Sequence, residues 1–482
     1  MELGFFRQFG SNKVIIYLVT RYFTYAIQFL TSLLLAVKLG PYYMGVWGFV
    51  LLILNYLGQF HFGIANSLNV LLVQHKDDAQ KYNGYITNSL FLILLISLLV
   101  GLFYLYSVFV GVEEIEEYGV GKYMWAVCLI AVFQYFNGIF ANIFRVSNRL
   151  NSISFTQSLV VIFPFIVLFF FRDKQLVDAL VASYFISNLI CVIYALCSSI
   201  IPQPQKSDIN LLIQKELLVK GICLFLYNTC FAFIVISIRT IVSSNYTIEE
   251  FGLFTFAFTL GNAVMMLMNA FGFIVFPKVI SIFSSSDNEV VKEKVTNIRG
   301  LYMEASHFVT YLFLLLLPVL PYIMPQYHGS VVAFNLIVLA LALNTNNFAH
   351  SSLLIARNQE RTAAIIALSA LLINIAIGLL LVKVFRVGYN YVAIATLIAN
   401  FFICISTYIS CNHILQIKTG LKGFFPIRLL IPYIFAVLIS VLELNQFLWL
   451  PLMVFIILNI PSLKRLLNMA YGIAKDSSII NI

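Results

Sequence analysis

The stretch KLGPYYMGVWGFVLLILN, residues 38–55, contains the turn between the first two long apolar runs of the chain, 14–37 and 44–67. Each run has the roughly 20 apolar residues that a helix needs to cross a hydrocarbon core of about 30 Å. Gly40 and Pro41 separate the runs, and both residue types interrupt regular helices. The stretch therefore predicts a helical hairpin in a membrane. The rest of the chain repeats this pattern of long apolar runs and short turns.

The composition of the 482 residues also indicates a membrane protein. Hydrophobic side chains make up 61% and charged side chains 10% of the chain, whereas a typical soluble domain is about 45–50% apolar and about 25% charged. This excludes a soluble enzyme, a secreted disulfide scaffold and a disordered regulator. The net charge of +9 arises from basic residues scattered over short turns, whereas a nucleic-acid site gathers them into a patch. We therefore predict no nucleic-acid partner.

The seven cysteines all lie within apolar runs, and they form neither a CxxC motif nor a Cys/His pattern suited to zinc. We expect them to pack as small apolar side chains, and we predict neither a metal ion nor another cofactor. The first apolar run is too long for a signal peptide, so it is interpreted as a permanent span.

Continuous apolar runs favour helices over a membrane β-barrel, whose strands alternate apolar and polar residues over about ten positions. The fold class is therefore an all-α polytopic membrane protein. Fourteen spans are predicted, or twelve if the last pair, separated only by a short turn at 443–445, does not cross. The predicted spans are 14–37, 44–67, 83–110, 120–143, 152–171, 176–200, 216–243, 250–276, 300–323, 330–352, 362–385, 390–414, 424–442 and 446–462.

The distribution of basic residues predicts how these spans are oriented. Cytoplasmic loops of membrane proteins carry an excess of Lys and Arg, and alternate turns of this chain differ strongly in their content of these residues. We assign the poorer set of turns to the outside. Their basic residues are Lys38, Lys122, Arg172, Lys174, Lys383 and Arg386. Both termini are therefore predicted to lie in the cytoplasm.

A weak internal repeat divides the chain near the polar segment 201–208. Residues 38–55 align with NYTIEEFGLFTFAFTLGN at 245–262, which pairs Gly45 with Gly252, Phe49 with Phe256 and Asn55 with Asn262. An i, i+4 arginine pair also follows the fourth span of each half: Arg145 with Arg149, and Arg357 with Arg361.

The repeat predicts the domain organisation. We expect an N-terminal six-helix bundle at 1–206, a C-terminal six-helix bundle at 207–416, and an appended helix pair with a cytoplasmic tail at 417–482. Six spans per half make the two bundles parallel repeats, related by an axis along the membrane normal. Substrate sites in transporters built from such repeats lie near the midplane of the membrane.

The segment LGPYYMGVWGF at 39–49 resembles the turn after the first helix of polysaccharide flippases. These are the O-antigen (Wzx-type) transporters of the multidrug/oligosaccharidyl-lipid/polysaccharide (MOP) exporter superfamily. Three further segments are similar to that family in order and spacing: TIEEFGLF at 247–254, LPVLPYIMPQYHGSVVAFNLIVLA at 317–340, and RNQERTAAI at 357–365. The chain departs from the family at Ile238, where the family often has an acidic residue before the arginine that corresponds to Arg239.

The resemblance implies a MATE-like fold in a bacterial cytoplasmic (inner) membrane. It also implies a flippase that moves a polyisoprenyl-pyrophosphate-linked oligosaccharide from the inner to the outer leaflet by alternating access. Its cargo would be a repeat unit of O-antigen (the lipopolysaccharide side chain), capsule or exopolysaccharide. Membrane lipids, a glycan polymerase and chain-length machinery are the implied partners.

Two arginines within predicted spans are candidates for binding the pyrophosphate, Arg21 in the first span and Arg239 in the seventh. An intramembrane arginine is costly unless it faces water, a partner or an anion, and its guanidinium suits phosphate oxygens. The alternative is that both side chains snorkel to the lipid headgroups.

Amides within the spans could bind the sugar hydroxyl groups. The candidates are Asn55, Asn262, Asn344, Asn346 and Asn347, together with His350. The alternative is that these side chains form hydrogen bonds between helices. At the inner mouth, the arginine pairs of the two halves could gather the anionic headgroup, or they could serve only to set the topology.

Glu304 and His307 lie one turn apart in the ninth span and could together bind a coupling proton, because histidine titrates near neutral pH. The alternative is an interfacial charged turn. The preceding polar stretch, 284–299, is interpreted as an interfacial or solvated helix.

Two other functions are alternatives to the flippase. A multidrug or cation antiporter with the same fold would need an intramembrane acidic residue to exchange H⁺ or Na⁺ for a cation, but the two deep charges, Arg21 and Arg239, repel cations. An embedded glycan polymerase or ligase would need a large outer loop with catalytic groups, whereas every predicted outer turn is short. We therefore predict an anionic cargo and no enzymatic activity.

Overall fold

The structure is a computed structural model that describes residues 13–75, 77–198, 209–285, 287–316, 319, 323–417 and 423–475. Within these residues the chain forms helices and turns and no β-strand, which confirms the all-α class. The chain divides into two compact units, Met1–Thr229 and Cys230–Ile482. The predicted domain boundary between 206 and 207 lies outside the described residues, and the three-domain division stays a prediction.

The first unit is built from long apolar helices with short connections. They are α1 (Lys13–Gly58), α2 (Ile64–Gln74), α3 (Ala79–Phe109), the short α4 (Glu113–Glu117), α5 (Met124–Val146), α6 (Leu150–Val167) and α7 (Asp173–Leu196). A 3-10 turn, Gly121–Tyr123, leads into α5. The helix α8 (Leu211–Ser243) begins in this unit and continues into the second.

The second unit continues the same architecture. Its helices are α9 (Ile248–Ser285), α10 (Asn288–Leu316), α11 (Val331–Asn346), α12 (Phe348–Ala356), α13 (Glu360–Leu379), α14 (Ala393–Ile414), α15 (Ile427–Val441) and α16 (Trp449–Lys475). A π-helical turn, Leu380–Val384, follows α13. The 3-10 turns are Pro325–Ser330, Tyr389–Val392 and Asn445–Phe447. The last two helices pack within this unit, where the Tyr433 hydroxyl donates to the Leu339 carbonyl at 3.0 Å.

Among the described residues, ten helices are long and apolar enough to cross a membrane. The first of them, Thr20–Gly58, covers most of two predicted spans, 14–37 and 44–67, and two shorter apolar helices, Ile64–Gln74 and Ile427–Val441, accompany the ten. The chain is therefore a multi-pass membrane protein. The total of fourteen spans and the cytoplasmic location of both termini stay predictions.

The turn between the first two predicted spans is a kink inside α1 rather than a separate loop. Gly40 has φ 65° and ψ 171°, a conformation that glycine reaches at no steric cost. Pro41 follows and has no N–H to continue the helical hydrogen bonds. The Gly-Pro pair therefore bends the chain within a few residues and lets both apolar segments stay helical.

The second predicted span, 44–67, is shorter than predicted. The helix ends at Gly58 and α2 begins at Ile64, because Phe62 and Gly63 both have positive φ, 47° and 74°. The His61 ring lies in this break, where its Nδ1 accepts the Gly63 N–H at 3.3 Å. The sequence did not predict this break, because glycine is the only residue type in it that commonly interrupts a helix.

The internal repeat has a structural counterpart in the two aligned phenylalanines. Phe49 stacks on Tyr118 with a ring-centroid distance of 4.2 Å, and Phe256 packs on Tyr327 at 4.4 Å. All four side chains are buried. Each unit thus uses the same aromatic pair to hold the helix after its first turn against the segment that precedes its fourth predicted span.

The basic turns of the two units are also alike in backbone. Asn148 and Asn358 have φ 56° and 54°, and the N–H of the following residue, Arg149 or Gln359, returns to a helical carbonyl at 2.8 Å in both. Matching the two asparagines places Arg149 opposite Gln359 and Arg145 opposite Ile355. The arginine pairs of the two halves therefore do not occupy equivalent positions, although each lies at the same kind of turn.

A variant of Asn374 measures how much an amide that is hydrogen-bonded between two helices contributes to the stability of the fold. Its buried amide donates to the Ile234 carbonyl at 2.7 Å and to Ser237 Oγ at 3.0 Å. We expect Asn374→Ala to lower the free energy of unfolding by about 1–2 kcal/mol, measured by denaturation in mixed detergent micelles. The control is Asn335→Ala, because the buried Asn335 amide has no hydrogen-bond partner among the described residues. An equal loss in the two variants would contradict this expectation.

Candidate functional site

Among the described residues, three charged side chains are buried: Arg239, Arg299 and Glu304. Burial of an unpaired charge costs several kcal/mol, so each of these positions needs a physical explanation. Two of the three are basic. A fourth charged side chain, Arg21, is half-buried.

Arg21 is held in a fixed orientation within the first unit. Its Nε donates to the Tyr25 hydroxyl at 2.9 Å, and its Nη1 donates to Gln157 Oε1 at 2.7 Å. The guanidinium also lies over the Tyr25 ring, 4.8 Å from its centroid. Guanidinium has five N–H groups, so this arrangement fixes its plane and leaves donors for a further acceptor.

Arg239 lies on α8 in the second unit and is 2% exposed. Its guanidinium lies 5.8 Å from the centroid of the Phe251 ring and 5.2 Å from that of Phe258. Cation–π contacts of this kind compensate part of the cost of removing the charge from water. Arg239 is therefore packed among aromatic side chains and does not extend to the surface of its unit.

The helix α10 organises the charged groups of the second unit. The polar stretch at its start, interpreted from sequence as an interfacial or solvated helix, is continuous with the apolar part, and it buries Val291, Val295 and Ile298. Further along the same helix, Arg299, Glu304 and His307 are also buried. An i, i+4, i+7 apolar pattern was present at these three positions and predicts a buried face, but the high charge of the stretch obscured it.

Arg299 makes contacts with neutral groups. Its Nη1 donates to the Gly423 carbonyl at 3.0 Å and its Nη2 donates to the Phe424 carbonyl. The guanidinium lies 5.2 Å from the Tyr408 ring centroid and 5.9 Å from that of Phe424. Among the described residues no carboxylate forms an ion pair with it. The positive charge of this 9% exposed residue is therefore not neutralised by the side chains around it.

Glu304 forms an ion pair with Arg428, which lies in the first turn of α15. Arg428 Nη2 donates to Glu304 Oε1 at 2.5 Å, and Arg428 Nη1 donates to Ser462 Oγ at 2.8 Å. The carbonyl of Arg428 accepts from Asn459 Nδ2 at 3.1 Å, at the position where α16 leaves helical geometry. Arg428 thus links α10 to both helices of the C-terminal pair.

His307 is fully buried and has partners other than Glu304. Its Nδ1 is 2.8 Å from the Tyr311 hydroxyl, and its Nε2 is 3.1 Å from Asn346 Nδ2. The Ser306 hydroxyl donates to Asn346 Oδ1 at 3.4 Å. Glu304 and His307, predicted as a proton-binding pair, thus belong to two different hydrogen-bonding groups. Their role in proton coupling stays a prediction.

The remaining candidates for sugar binding, the amides and His350, differ in how deeply they are buried. Asn347 is buried, and its Oδ1 accepts from the Thr407 hydroxyl at 2.5 Å. The His350 ring is buried against Tyr408 in an edge-to-face contact of 5.5 Å. Asn55 and Asn344 are exposed on their units, and Asn262 is half-buried. Asn346 and Asn347 therefore connect helices, whereas Asn55 and Asn344 have surfaces that a ligand could reach.

The arginine pairs lie at the surface of their units. Arg145, Arg149 and Arg361 are exposed, whereas Arg357 is half-buried and its Nη2 donates to Asn288 Oδ1 at 3.1 Å. This bond joins the turn after α12 to the start of α10. The four residues are accessible to an anionic headgroup, and that role stays a prediction.

A cavity of about 890 Å³ opens beside α10 in the second unit. Its wall comes from α10, α12, α14 and the segment that enters α15. The lining residues with polar side chains are Lys292, Thr296, Asn297, Arg299, Glu304, His350, Tyr408, Asn412 and Arg428. Three of them are basic and one is acidic, so the cavity carries positive charge. By the predicted orientation, this end of α10 faces the cytoplasm.

Sequence reasoning missed two residues of this cavity, Arg299 and Arg428. Arg299 belongs to the polar stretch interpreted as an interfacial or solvated helix, and Arg428 lies within the predicted span 424–442, where it is not among the candidate residues. The apolar spacing in the first turns of α10 was a usable signal for Arg299. The pairing of Arg428 with Glu304 joins residues distant in sequence and had no local signal.

Solved structures of transporters resemble this chain. A multidrug resistance MATE family transporter of the MOP superfamily, inward-facing, matches with a TM-score of 0.68 and 12% identity, over 83% of this chain and 98% of the other. The lipid II flippase MurJ, inward closed, matches with a TM-score of 0.64 and 15% identity, over 92% and 97%. A MATE protein in complex with MaL6 gives 0.62 and 12%, over 84% and 96%.

Neither a protein-family profile nor a curated protein matches the sequence. At identities of 12–15%, the structural likenesses show the fold alone. The resembling structures are transporters and flippases rather than enzymes. The chain is a multi-pass membrane protein with the helical fold of the MATE transporters and of MurJ.

Proposed function

We propose that the chain is a flippase that moves a polyisoprenyl-pyrophosphate-linked oligosaccharide from the inner to the outer leaflet by alternating access. The observation that carries this proposal is the sign of the buried charge. Among the described residues, the buried basic side chains are Arg239 and Arg299, and the only buried acid, Glu304, is paired with Arg428. Such an interior attracts an anion and repels a cation.

The pyrophosphate of a lipid-linked glycan is a suitable anion for these groups. Arginine binds phosphate oxygens through parallel N–H···O bonds, and Arg21 is oriented by Tyr25 and Gln157 with donors left over. The accessible amides of Asn55 and Asn344 are suited to sugar hydroxyl groups. A binding site for a charged headgroup and a glycan needs both kinds of side chain.

The likeness to MurJ supports a lipid-linked cargo. MurJ is a lipid II flippase, and its match covers 92% of this chain, compared with 83% for the inward-facing MATE transporter. We infer a cargo of the O-antigen, capsule or exopolysaccharide type and a location in a bacterial inner membrane. Membrane lipids, a glycan polymerase and chain-length machinery are the corresponding partners.

A multidrug or cation antiporter is the second candidate, because the MATE transporter has the higher TM-score, 0.68 against 0.64. Such an antiporter needs a carboxylate that exchanges a cation. Glu304 is the buried acid among the described residues, and its charge is satisfied by Arg428 at 2.5 Å. This ion pair favours the flippase over the antiporter.

Reconstituted vesicles can separate the two functions. The full chain is placed in liposomes whose outer leaflet holds a polyprenyl-pyrophosphate oligosaccharide with a fluorescent sugar. A membrane-impermeant quencher then measures how much label has moved inward. We expect protection of the label above that in protein-free vesicles, and no protection of a labelled phosphatidylcholine. Uptake of a cationic dye under a H⁺ or Na⁺ gradient, without movement of the glycolipid, would instead support the antiporter.

A further inference from the structure

We infer that the cavity beside α10 is a binding site for the phosphate group of a phosphorylated ligand. The site lies entirely within the second unit. Arg299 enters the flippase proposal only through the sign of its charge, and the lining residues Lys292, Asn297, Asn412 and Arg428 are assigned to no ligand there. Binding of a phosphate group is measured on the purified chain without transport, so failure of this inference is distinguishable from failure of the flippase proposal.

Arg299 supplies a fixed positive charge that no carboxylate among the described residues neutralises. Its side chain is 9% exposed, it lines the cavity, and it donates to the carbonyls of Gly423 and Phe424. Its Nε has no hydrogen-bond partner among the described residues. A neutral donor would suffice to hold the two carbonyls, so holding them does not explain why a full charge is buried here. An anion in the cavity would supply the missing compensation.

The other charged groups of the cavity wall do not cancel the positive charge of Arg299. Lys292 lies two turns before Arg299 on the same face of α10, and its Nζ is 2.6 Å from Glu289, a 78% exposed side chain that does not line the cavity. Arg428 lies on the facing wall, and its ion pair with Glu304 neutralises the acid that lines the cavity. The cavity therefore presents a net positive charge to whatever enters it.

Neutral donors and the size of the cavity indicate the kind of ligand. The side chains of Asn297 and Asn412 line the cavity and carry N–H groups for phosphate oxygens. A volume of about 890 Å³ falls within the range of roughly 300–1,000 Å³ that is typical of pockets for organic ligands. A bare phosphate would leave most of this space empty. The ligand is therefore a phosphate attached to a larger organic group.

The organic group attached to the phosphate belongs either to a lipid or to a water-soluble metabolite. A lipid would bring its headgroup from the adjacent leaflet, and a soluble phosphorylated compound would enter from the aqueous side. Both present the same oxyanion to Arg299 and Lys292. The experiment therefore uses a probe of each kind: adenosine diphosphate as the soluble probe, and phosphatidylglycerol or farnesyl pyrophosphate as the lipid probes.

Binding is measured on the purified full chain in a neutral detergent, by calorimetry and by the shift of the thermal midpoint. The variants are Arg299→Gln and Lys292→Gln. Lys294→Gln is the matched control, because Lys294 lies on the same helix but does not line the cavity. Hydrogen bonds to a charged group contribute about 1.5–3 kcal/mol, where 1.4 kcal/mol is a factor of ten. We expect Arg299→Gln to weaken binding about tenfold or more, Lys292→Gln to weaken it about threefold, and Lys294→Gln to change it less than about twofold.

Each outcome decides the inference. Binding of the lipid probes alone identifies a headgroup site, and binding of adenosine diphosphate identifies a site for soluble phosphorylated compounds. If Arg299→Gln does not fold, the difference between Lys292→Gln and Lys294→Gln carries the test. Absence of binding of every probe at millimolar concentration would overturn the inference. Equal weakening in Lys292→Gln and Lys294→Gln would also overturn it, because it would show only a general attraction to the basic surface.

Discussion

Arg21→Gln is expected to lower glycolipid transport about tenfold to 150-fold without unfolding the protein. Arg21 is fixed by the Tyr25 hydroxyl at 2.9 Å and by Gln157 at 2.7 Å, so its remaining N–H groups are oriented before the substrate arrives. A hydrogen bond to a charged group contributes about 1.5–3 kcal/mol, and its loss gives the stated range. The rate is measured with the fluorescent glycolipid in reconstituted vesicles.

Two comparisons separate a binding role from a general effect of charge. Lys174→Gln removes the same charge from an exposed position of the same unit, and its transport rate is expected to stay within about twofold of the wild type. Arg21→Lys keeps the charge but cannot form two parallel bonds with a phosphate, so an intermediate rate is expected. Transport at the wild-type rate in Arg21→Gln would remove Arg21 from the substrate site.

Arg428→Ala is expected to lower the free energy of unfolding by about 2–5 kcal/mol. The substitution leaves the carboxylate of Glu304, which is 5% exposed, without its partner, and truncation of one member of such a pair costs about this much. It also removes the bond to Ser462, which joins α15 to α16. The Arg428 side chain is 43% exposed, which places the expected loss toward the lower end of the range. Denaturation in mixed detergent micelles measures it.

The double variant Glu304→Gln/Arg428→Ala identifies the cause. If the unpaired carboxylate produces the loss, neutralising it restores at least about half of the stability. If the double variant is as unstable as Arg428→Ala, the contribution of Arg428 comes from packing and from Ser462 instead. The difference is a coupling energy, which only such a cycle measures.

The helical class could be predicted from sequence because continuous apolar runs of about the length of a membrane span recur throughout the chain. The position of the first turn could also be predicted, because Gly40 and Pro41 both interrupt a regular helix. The break before Gly63 was missed, because Phe62 adopts positive φ against its own preference. Tertiary packing, rather than local preference, determines that conformation.

The repeat could be predicted only in part. Phe49 and Phe256 were matched correctly, but their partners Tyr118 and Tyr327 lie in segments where no identity marks the alignment. The arginine pairs suggested a register that the backbone does not share, because the asparagine with positive φ, rather than the arginine, defines each turn. Steric preference was a better guide than charge at this position.

The cavity of the second unit was the least predictable feature. Arg299 and Glu304 lie on one helix, but Gly423 and Arg428 reach them only when the segment before α15 folds back onto α10. No local pattern encodes such an encounter. The signal that sequence analysis can use is a charged residue close to a helical apolar pattern, as Arg299 is to Val291 and Val295.

The location of lipid-linked oligosaccharides in cells that lack this gene tests the flippase proposal most directly. Glycolipids are extracted after labelling with a membrane-impermeant reagent that modifies only sugars on the outer face. We predict that pyrophosphate-linked intermediates accumulate unlabelled, facing the cytoplasm, and that the wild-type gene, but not Arg21→Gln, returns them to the outer face. Unchanged glycolipids in both leaflets, together with a new sensitivity to cationic dyes, would contradict the proposal and favour the antiporter.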